Sequence, residues 1–158
     1  MKKTLIGSKI AFLVANGLNE RDLVEAQRVI QNLGADTRII SMDQGLVSSL
    51  NDQGWGLNFA SDHALKASLA ADYSAIVIPG GQRSIEKLQL TAHCKRFIRG
   101  FYDSQKPLCF MNEAQQLLEH SEINLDDNSQ HVLVLDNNFE ALDKFLKIEL
   151  LEEQAVAA

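Results

Sequence analysis

The run KIAFLVA, residues 9–15, decides the fold. After Lys9 it is apolar at every position, so a strand formed here needs cover on both faces, as in a parallel sheet flanked by helices. It ends in the turn-prone pair Asn16-Gly17. From Glu20 onward, Leu23, Val24, Ala26, Val29, Ile30 and Leu33 recur at helical spacing. Asn19 can cap that helix, with Asp22 three residues on, and Gly34 can end it. Strand, turn and capped amphipathic helix make the first half of a crossover unit.

The same grammar continues outward. Residues 37–42 (TRIISM) read as a second strand, followed by a Gly- and Ser-rich stretch to Ala60 that suits a short hairpin or an irregular excursion and contains Trp55. Ser61 can cap a short helix through Ala71. Residues 73–78 (YSAIVI) run into Pro79-Gly80-Gly81, and residues 84–102 carry Ile85, Leu88, Leu90, Ala92, Phe97, Ile98 and Phe101 at the spacing of one longer helix. Lys106-Pro107 opens a strand at 108–111, and the chain then turns sharply. A short helix at 113–120, a polar loop, a strand at 131–135 and a final helix from Phe139 to about Glu153 complete the order.

Strands alternating with helices predict an α/β fold, a three-layer α/β/α sandwich with a mostly parallel, flavodoxin-like sheet of order 2-1-3-4-5. The chain is expected to form a single domain over 1–158. In such sheets a site forms at the carboxyl ends of the strands beside the topological switch point. That gathers Asn16 to Glu20, Gly80 to Arg83 and Asn112 to Ala114.

Composition agrees with one compact folded domain. The 158 residues are 46% hydrophobic and 23% charged, with two prolines and nine glycines, so collagen-like, disordered and disulfide-scaffold classes are excluded. A chain of this size buries roughly 70% of its unfolded surface, enough for a core without disulfides or a structural metal. Fifteen Lys and Arg against 21 Asp and Glu give a net charge of -6. With the basic residues scattered, nucleic acid is not an expected partner. Lys2 and Lys3 before an apolar run imitate a secretory leader, but Lys9 interrupts it and its removal would delete the first core strand. No stretch approaches the ~18 apolar residues of a membrane span. No membrane partner and a cytoplasmic location are the expectations, and two cysteines without CxxC spacing suit a reducing compartment.

Three segments in order, residues 9–42, YSAIVIPGG and KPLCFMNEAQQLL, resemble the DJ-1/PfpI superfamily, which is class I glutamine amidotransferase-like, over residues 9 to about 118. The resemblance implies an elbow where active members carry a Cys-His pair, with an acid from the first strand-helix loop bonded to the cysteine. Here the nucleophile position falls on Asn112 and the His position on Glu113, while the acid position falls on Asn19 or, with a one-residue slip, on Glu20. A carboxamide cannot replace a thiolate nucleophile. Asn does tolerate the positive φ that an elbow needs. The chain reaches its last strand about nineteen residues after the elbow and ends in one helix. This short tail is similar to the C-terminal domain of large-subunit catalases, a noncatalytic relative whose elbow also lacks cysteine.

The expected function is that of a nonenzymatic domain, a pseudoenzyme acting as an oligomerisation, partner-binding or small-molecule-binding module. A homodimer is the expected assembly, because dimers are common in the superfamily. The alternative is a cysteine- or carboxylate-dependent hydrolase or glyoxalase-like enzyme acting on small carbonyl or amide substrates through Cys109, Cys94, Glu20 or Glu113. Cys109 and Cys94 are expected to be buried core thiols instead, since neighbours such as His93 and Cys94 point different ways on a helix. The candidate ligand pocket comprises Asn16, Glu20, Gly80, Gly81, Arg83, Asn112 and Glu113, with the amides of Gly80 and Gly81 as donors to an anion. Alternatively, those glycines form only a tight turn, and Asn19 and Glu20 only a cap and first-turn acid. His63, His93, His120 and His131 lack ligand spacing, so no metal and no cofactor are expected. Trp55 is expected either at a contact surface or packed over the sheet edge.

Overall fold

The computed structural model describes residues 5–42, 45–125, 129–136 and 138–151. The continuous apolar run forms β1 (Lys9–Val14), paired in parallel with β3 (Asp36–Ser41) on one side and β7 (Ala75–Ile78) on the other. Next to β7 lie β8 (Leu108–Met111) and then β9 (Val132–Leu135), also parallel. These five strands stand in the expected order 2-1-3-4-5, and β6 (His63–Ala64) extends the sheet beyond β3. A second sheet of order β2-β4-β5 consists of β2 (Leu18–Asn19) and the hairpin β4 (Leu46–Asn51) and β5 (Gly54–Ala60). The Gly- and Ser-rich excursion is therefore a hairpin held against β1's exit loop.

The period-2 alternation of β1 divides the core in two. Ile10, Phe12 and Val14 join Leu23, Ala26 and Ile30 of α1 (Glu20–Asn32) and Leu142 and Leu146 of α5 (Phe139–Leu146). Ala11 and Leu13 face the other way, with Ile85 and Leu88 of α2 (Gln82–Gln89) and Phe97, Ile98 and Phe101 of α3 (Ala92–Asp103). Both faces of β1 are covered, which is why it carries no polar residue after Lys9.

Three local expectations are corrected. Residues 61–71 are not a helix: β6 pairs with β3 and two short 3₁₀ turns follow, at Leu65–Ala67 and Ala70–Asp72. The Ser61 hydroxyl donates to the His63 carbonyl instead of capping a helix, so pairing at the sheet edge outweighs local propensity. The long helix over 84–102 is two helices. Thr91 is extended (φ -114°) and its Oγ1 accepts from the His93 amide, starting α3 afresh, while Leu90 points outward at 84% exposure. The apolar spacing carries across this break and so concealed it. Finally, the residues after the elbow form a 3₁₀ turn, Asn112–Gln115, before α4 (Gln116–His120). The last helix ends in a single π turn, Lys147–Leu151, and its expected end near Glu153 lies outside the described residues.

Phe12 is fully buried in the central strand. Phe12→Ala is expected to destabilise the fold by about 3–5 kcal/mol, measured by urea denaturation, because the close-packed surroundings only partly collapse around the cavity.

Candidate functional site

At the carboxyl end of the sheet, β8 meets its turn at Asn112, whose φ is 51°. A strand that must enter a helix within one residue needs this left-handed conformation, and Asn is among the few non-Gly residues that accept it. The elbow expected at Asn112 is present. Its carboxamide Nδ2 lies 3.2 and 3.0 Å from the two carboxylate oxygens of Asp22. Asp22 is fully buried in the first turn of α1, and its Oδ2 also accepts from the Gly80 amide at 2.9 Å.

The acid that faces the elbow is thus Asp22. Asn19, one of the two positions expected to supply it, caps α1: its Oδ1 accepts from the Asp22 amide at 3.1 Å. Glu20, the other, turns toward the hairpin, where its oxygens accept from the Leu57 amide (2.6 Å), Asn51 Nδ2 (3.1 Å) and Ser49 Oγ (3.3 Å). Asp22 was legible only as the partner of the Asn19 cap. It lies two positions beyond Glu20, and no local signal shows that the first turn rolls its side chain inward onto a residue 90 positions away.

The anion cradle expected at Gly80 and Gly81 is filled by the chain itself. Asp22 takes the Gly80 amide, and Glu113 Oε1 takes the Gly81 amide at 2.7 Å. The close approach explains the glycine at position 80: a Cβ there would sit 2.7 Å from Glu113 Oε1, 2.8 Å from Asp22 Oδ2 and 3.0 Å from the Met111 carbonyl. Gly81 combines a φ of 110° with a Cβ direction that would run into the Gly17 carbonyl at 2.5 Å.

Burial holds the Asp22 carboxyl above the usual carboxylate range, and the nearby Glu113 charge adds to the effect. Its hydrogen bonds from Asn112 and Gly80, and the Arg21 charge, act in the opposite direction. Burial pushes the Cys94 thiol up to about 12. Cys109, in β8, is shifted upward further by burial, with the Asp22 charge contributing. Both thiols lie in the core, as expected, where burial disfavours the thiolate of each.

The structure places several of the seven candidate pocket residues in different surroundings. Asn16 belongs to a cleft of about 240 Å³ beside Ser41 and Lys87, and its Oδ1 accepts from the Ser48 amide. Glu20, Gly81 and Arg83 line a separate groove of about 490 Å³ between the hairpin and the starts of α1 and α2. Asn112 and Glu113 line neither. Trp55 is 56% exposed, and the Arg83 guanidinium carbon lies 5.5 Å from its ring centroid. Among the described residues, no group of His, Cys, Asp and Glu is placed to hold a metal ion, and no helix is long and apolar enough to cross a membrane.

This parallel sheet with an elbow at its carboxyl edge defines a class, and the sequence model of the DJ-1/PfpI family matches residues 8–144. The chain belongs to the DJ-1/PfpI family. It is similar to catalase HPII of Pseudomonas aeruginosa, at 24% identity over 109 residues, which is 69% of this chain and 15% of the catalase. Among solved structures, Drosophila melanogaster DJ-1beta superposes with a TM-score of 0.73 at 14% identity, over 91% of this chain and 89% of its own. A two-domain protein from Anabaena variabilis, with DJ-1/ThiJ/PfpI-like and ferritin-like domains, gives a TM-score of 0.68 at 16% identity, over 81% of this chain and 39% of its own. The chain therefore spans well under half the length of that catalase and of the two-domain protein.

Two pH dependences follow. A raised carboxyl pKa stabilises the fold below the unfolded value of about 3.9, and that contribution is lost as pH rises through the folded value. The stability difference between the wild type and Asp22→Asn is therefore expected to move in the variant's favour between pH 4.5 and 7.5, read by urea denaturation. A difference independent of pH would show that Asp22 titrates normally. Glu20 has the opposite sign: the Leu57 amide first, then Asn51 and Ser49, hold its pKa below the usual value. Its contribution is present above about 4.5 and lost as pH falls. Glu20→Gln is expected to speed hydrogen exchange at the Leu57 amide at pH 7, with the difference fading in acid.

Proposed function

We propose that this chain is a nonenzymatic DJ-1/PfpI domain, a cytoplasmic module that self-associates and binds a small molecule or a protein partner. The observation that carries this reading is Asn112 at the elbow, its carboxamide committed to Asp22. The nitrogen electron pair of a carboxamide is delocalised into its own carbonyl, and a carboxylate such as Asp22 is far too weak a base to deprotonate it. It therefore does not serve as the nucleophile at a carbonyl. Both thiols are buried, and the consecutive amides of Gly80 and Gly81 already carry carboxylates of the chain, so a developing oxyanion finds neither donor open.

The role of an accessory module is supported by the company the domain keeps in similar proteins. In the Anabaena variabilis protein a DJ-1/ThiJ/PfpI-like domain is joined to a ferritin-like one, and the match to catalase HPII covers only a small part of that protein. The enzymatic alternative has one observation on its side, the raised pKa of Asp22, since such shifts gather at catalytic carboxyls. That carboxyl is closed off from solvent by the groups it accepts from.

Maleimide labelling at neutral pH tests the reading without a guessed substrate. Neither Cys94 nor Cys109 is expected to react in the native protein, both should react after unfolding, and Asn112→Cys should add one thiol that labels in the native state. Faster labelling of a wild-type cysteine in the folded than in the unfolded chain would overturn it. So would turnover of a small carbonyl or amide substrate that Cys109→Ala or Glu20→Gln abolishes. A single monomeric species by sedimentation would remove self-association.

A further inference from the structure

The groove of about 490 Å³ beside the filled elbow contains two arginines, Arg21 near the start of α1 and Arg83 near the start of α2. Neither is in an ion pair. The ion pairs among the described residues are Arg28–Glu25, Lys95–Glu122, Arg99–Asp103 and Lys147–Asp143. Each of the two guanidiniums lies against an aromatic ring instead, Arg83 at 5.5 Å from the Trp55 centroid and Arg21 at 5.9 Å from the Phe139 centroid. A ring contact holds the planar head in place while leaving N–H donors for an acceptor, and it lowers the entropy lost when one binds. The backbone makes room for this arrangement at Gly17, where any Cβ would collide with the stem of Arg83.

Two acids share the groove, and they differ in availability. Glu20 is turned to the hairpin by three hydrogen bonds. Asp52 is exposed in the turn between β4 and β5, paired with neither arginine. An oxyanion entering the groove would therefore meet two donor heads unclaimed by carboxylates, with one exposed acid opposing it.

We propose that this groove binds a small oxyanion, a carboxylate or phosphate group, with Arg83 and Arg21 as its ligands. The inference rests on the binding-module reading and gives its ligand a chemical class. Arg83 supplies a fork suited to two oxygens of one group, and Arg21 supplies the second cation. The cradle at Gly80 and Gly81 takes no part, because the chain's own carboxylates occupy it.

Trp55 is the only tryptophan in the chain and lies against Arg83, so intrinsic fluorescence reports on the Arg83 head. Sodium succinate and inorganic phosphate are titrated separately into the full chain, against sodium chloride at matched ionic strength. A saturable change with either anion, absent with chloride, is expected, and selectivity for one identifies the group. Arg21→Ala, which leaves the Trp55 contact in place, should raise the midpoint about tenfold or more. Asp52→Asn should lower it, a gain that a damaged fold cannot produce. For Arg83→Ala, where the reporter contact itself is lost, calorimetry should show binding abolished, with Arg83→Lys intermediate. Lack of saturation with both anions, or midpoints unchanged by Arg21→Ala and Asp52→Asn, would overturn the proposal. A reactive native thiol would sink the nonenzymatic reading while leaving oxyanion binding intact, so the two failures are distinguishable.

Discussion

The buried carboxylate of Asp22 is the constraint on which the carboxyl end of the sheet depends. It accepts from the elbow side chain Asn112 and from the Gly80 amide after β7, while its own helix starts from the exit loop of β1. Three loops that approach from three different strands are thereby tied to one group. An acid out of water is costly unless its oxygens are hydrogen-bonded, so the surrounding backbone must present donors at fixed places. The missing Cβ at Gly80 and the positive φ of Asn112 are the local counterparts of that demand.

The chain's own carboxylates occupy the amide donors at this edge. Gly80 donates to Asp22, Gly81 donates to Glu113, and the elbow carries the Asn112 carboxamide, which donates to Asp22. The thiols belong to the two faces of the core, Cys109 in the cluster that holds Phe12 and Cys94 in the cluster that holds Phe97 and Phe101. What remains open to solvent lies farther out, where Glu20 clasps the hairpin and places Trp55 beside Arg83. The hairpin thus links the closed elbow to the exposed groove: its attachment to α1 through Glu20 positions the groove's outer wall.

Much of this was readable in the chain, wherever a feature is encoded by neighbours. The unbroken apolar run of β1 marked a strand covered on both sides, and the Asn19 cap, Gly34 terminus and Asn112 elbow are each a backbone requirement met by one residue type. Repetition of strand and helix then determined the layer architecture and the order of the five main strands. The helix break at Leu90-Thr91 escaped because apolar spacing continues through it, and β6 because two residues carry too little pattern to read.

What only the tertiary structure decided is which polar groups meet. Asp22 and Asn112 are 90 residues apart, Gly81 and Glu113 are 32 apart, and Glu20 finds Leu57 across 37. Periodicity reports which face of an element is buried because burial is summed along that element. A hydrogen bond depends on the position of two atoms to within a fraction of an ångström, and that position is set by the packing of every layer between them. The sequence therefore determined the sheet, the elbow and the absence of a thiol at its tip. Packing alone assigned the acid to Asp22, filled the glycine amides from within, and left Arg21 and Arg83 facing an open groove.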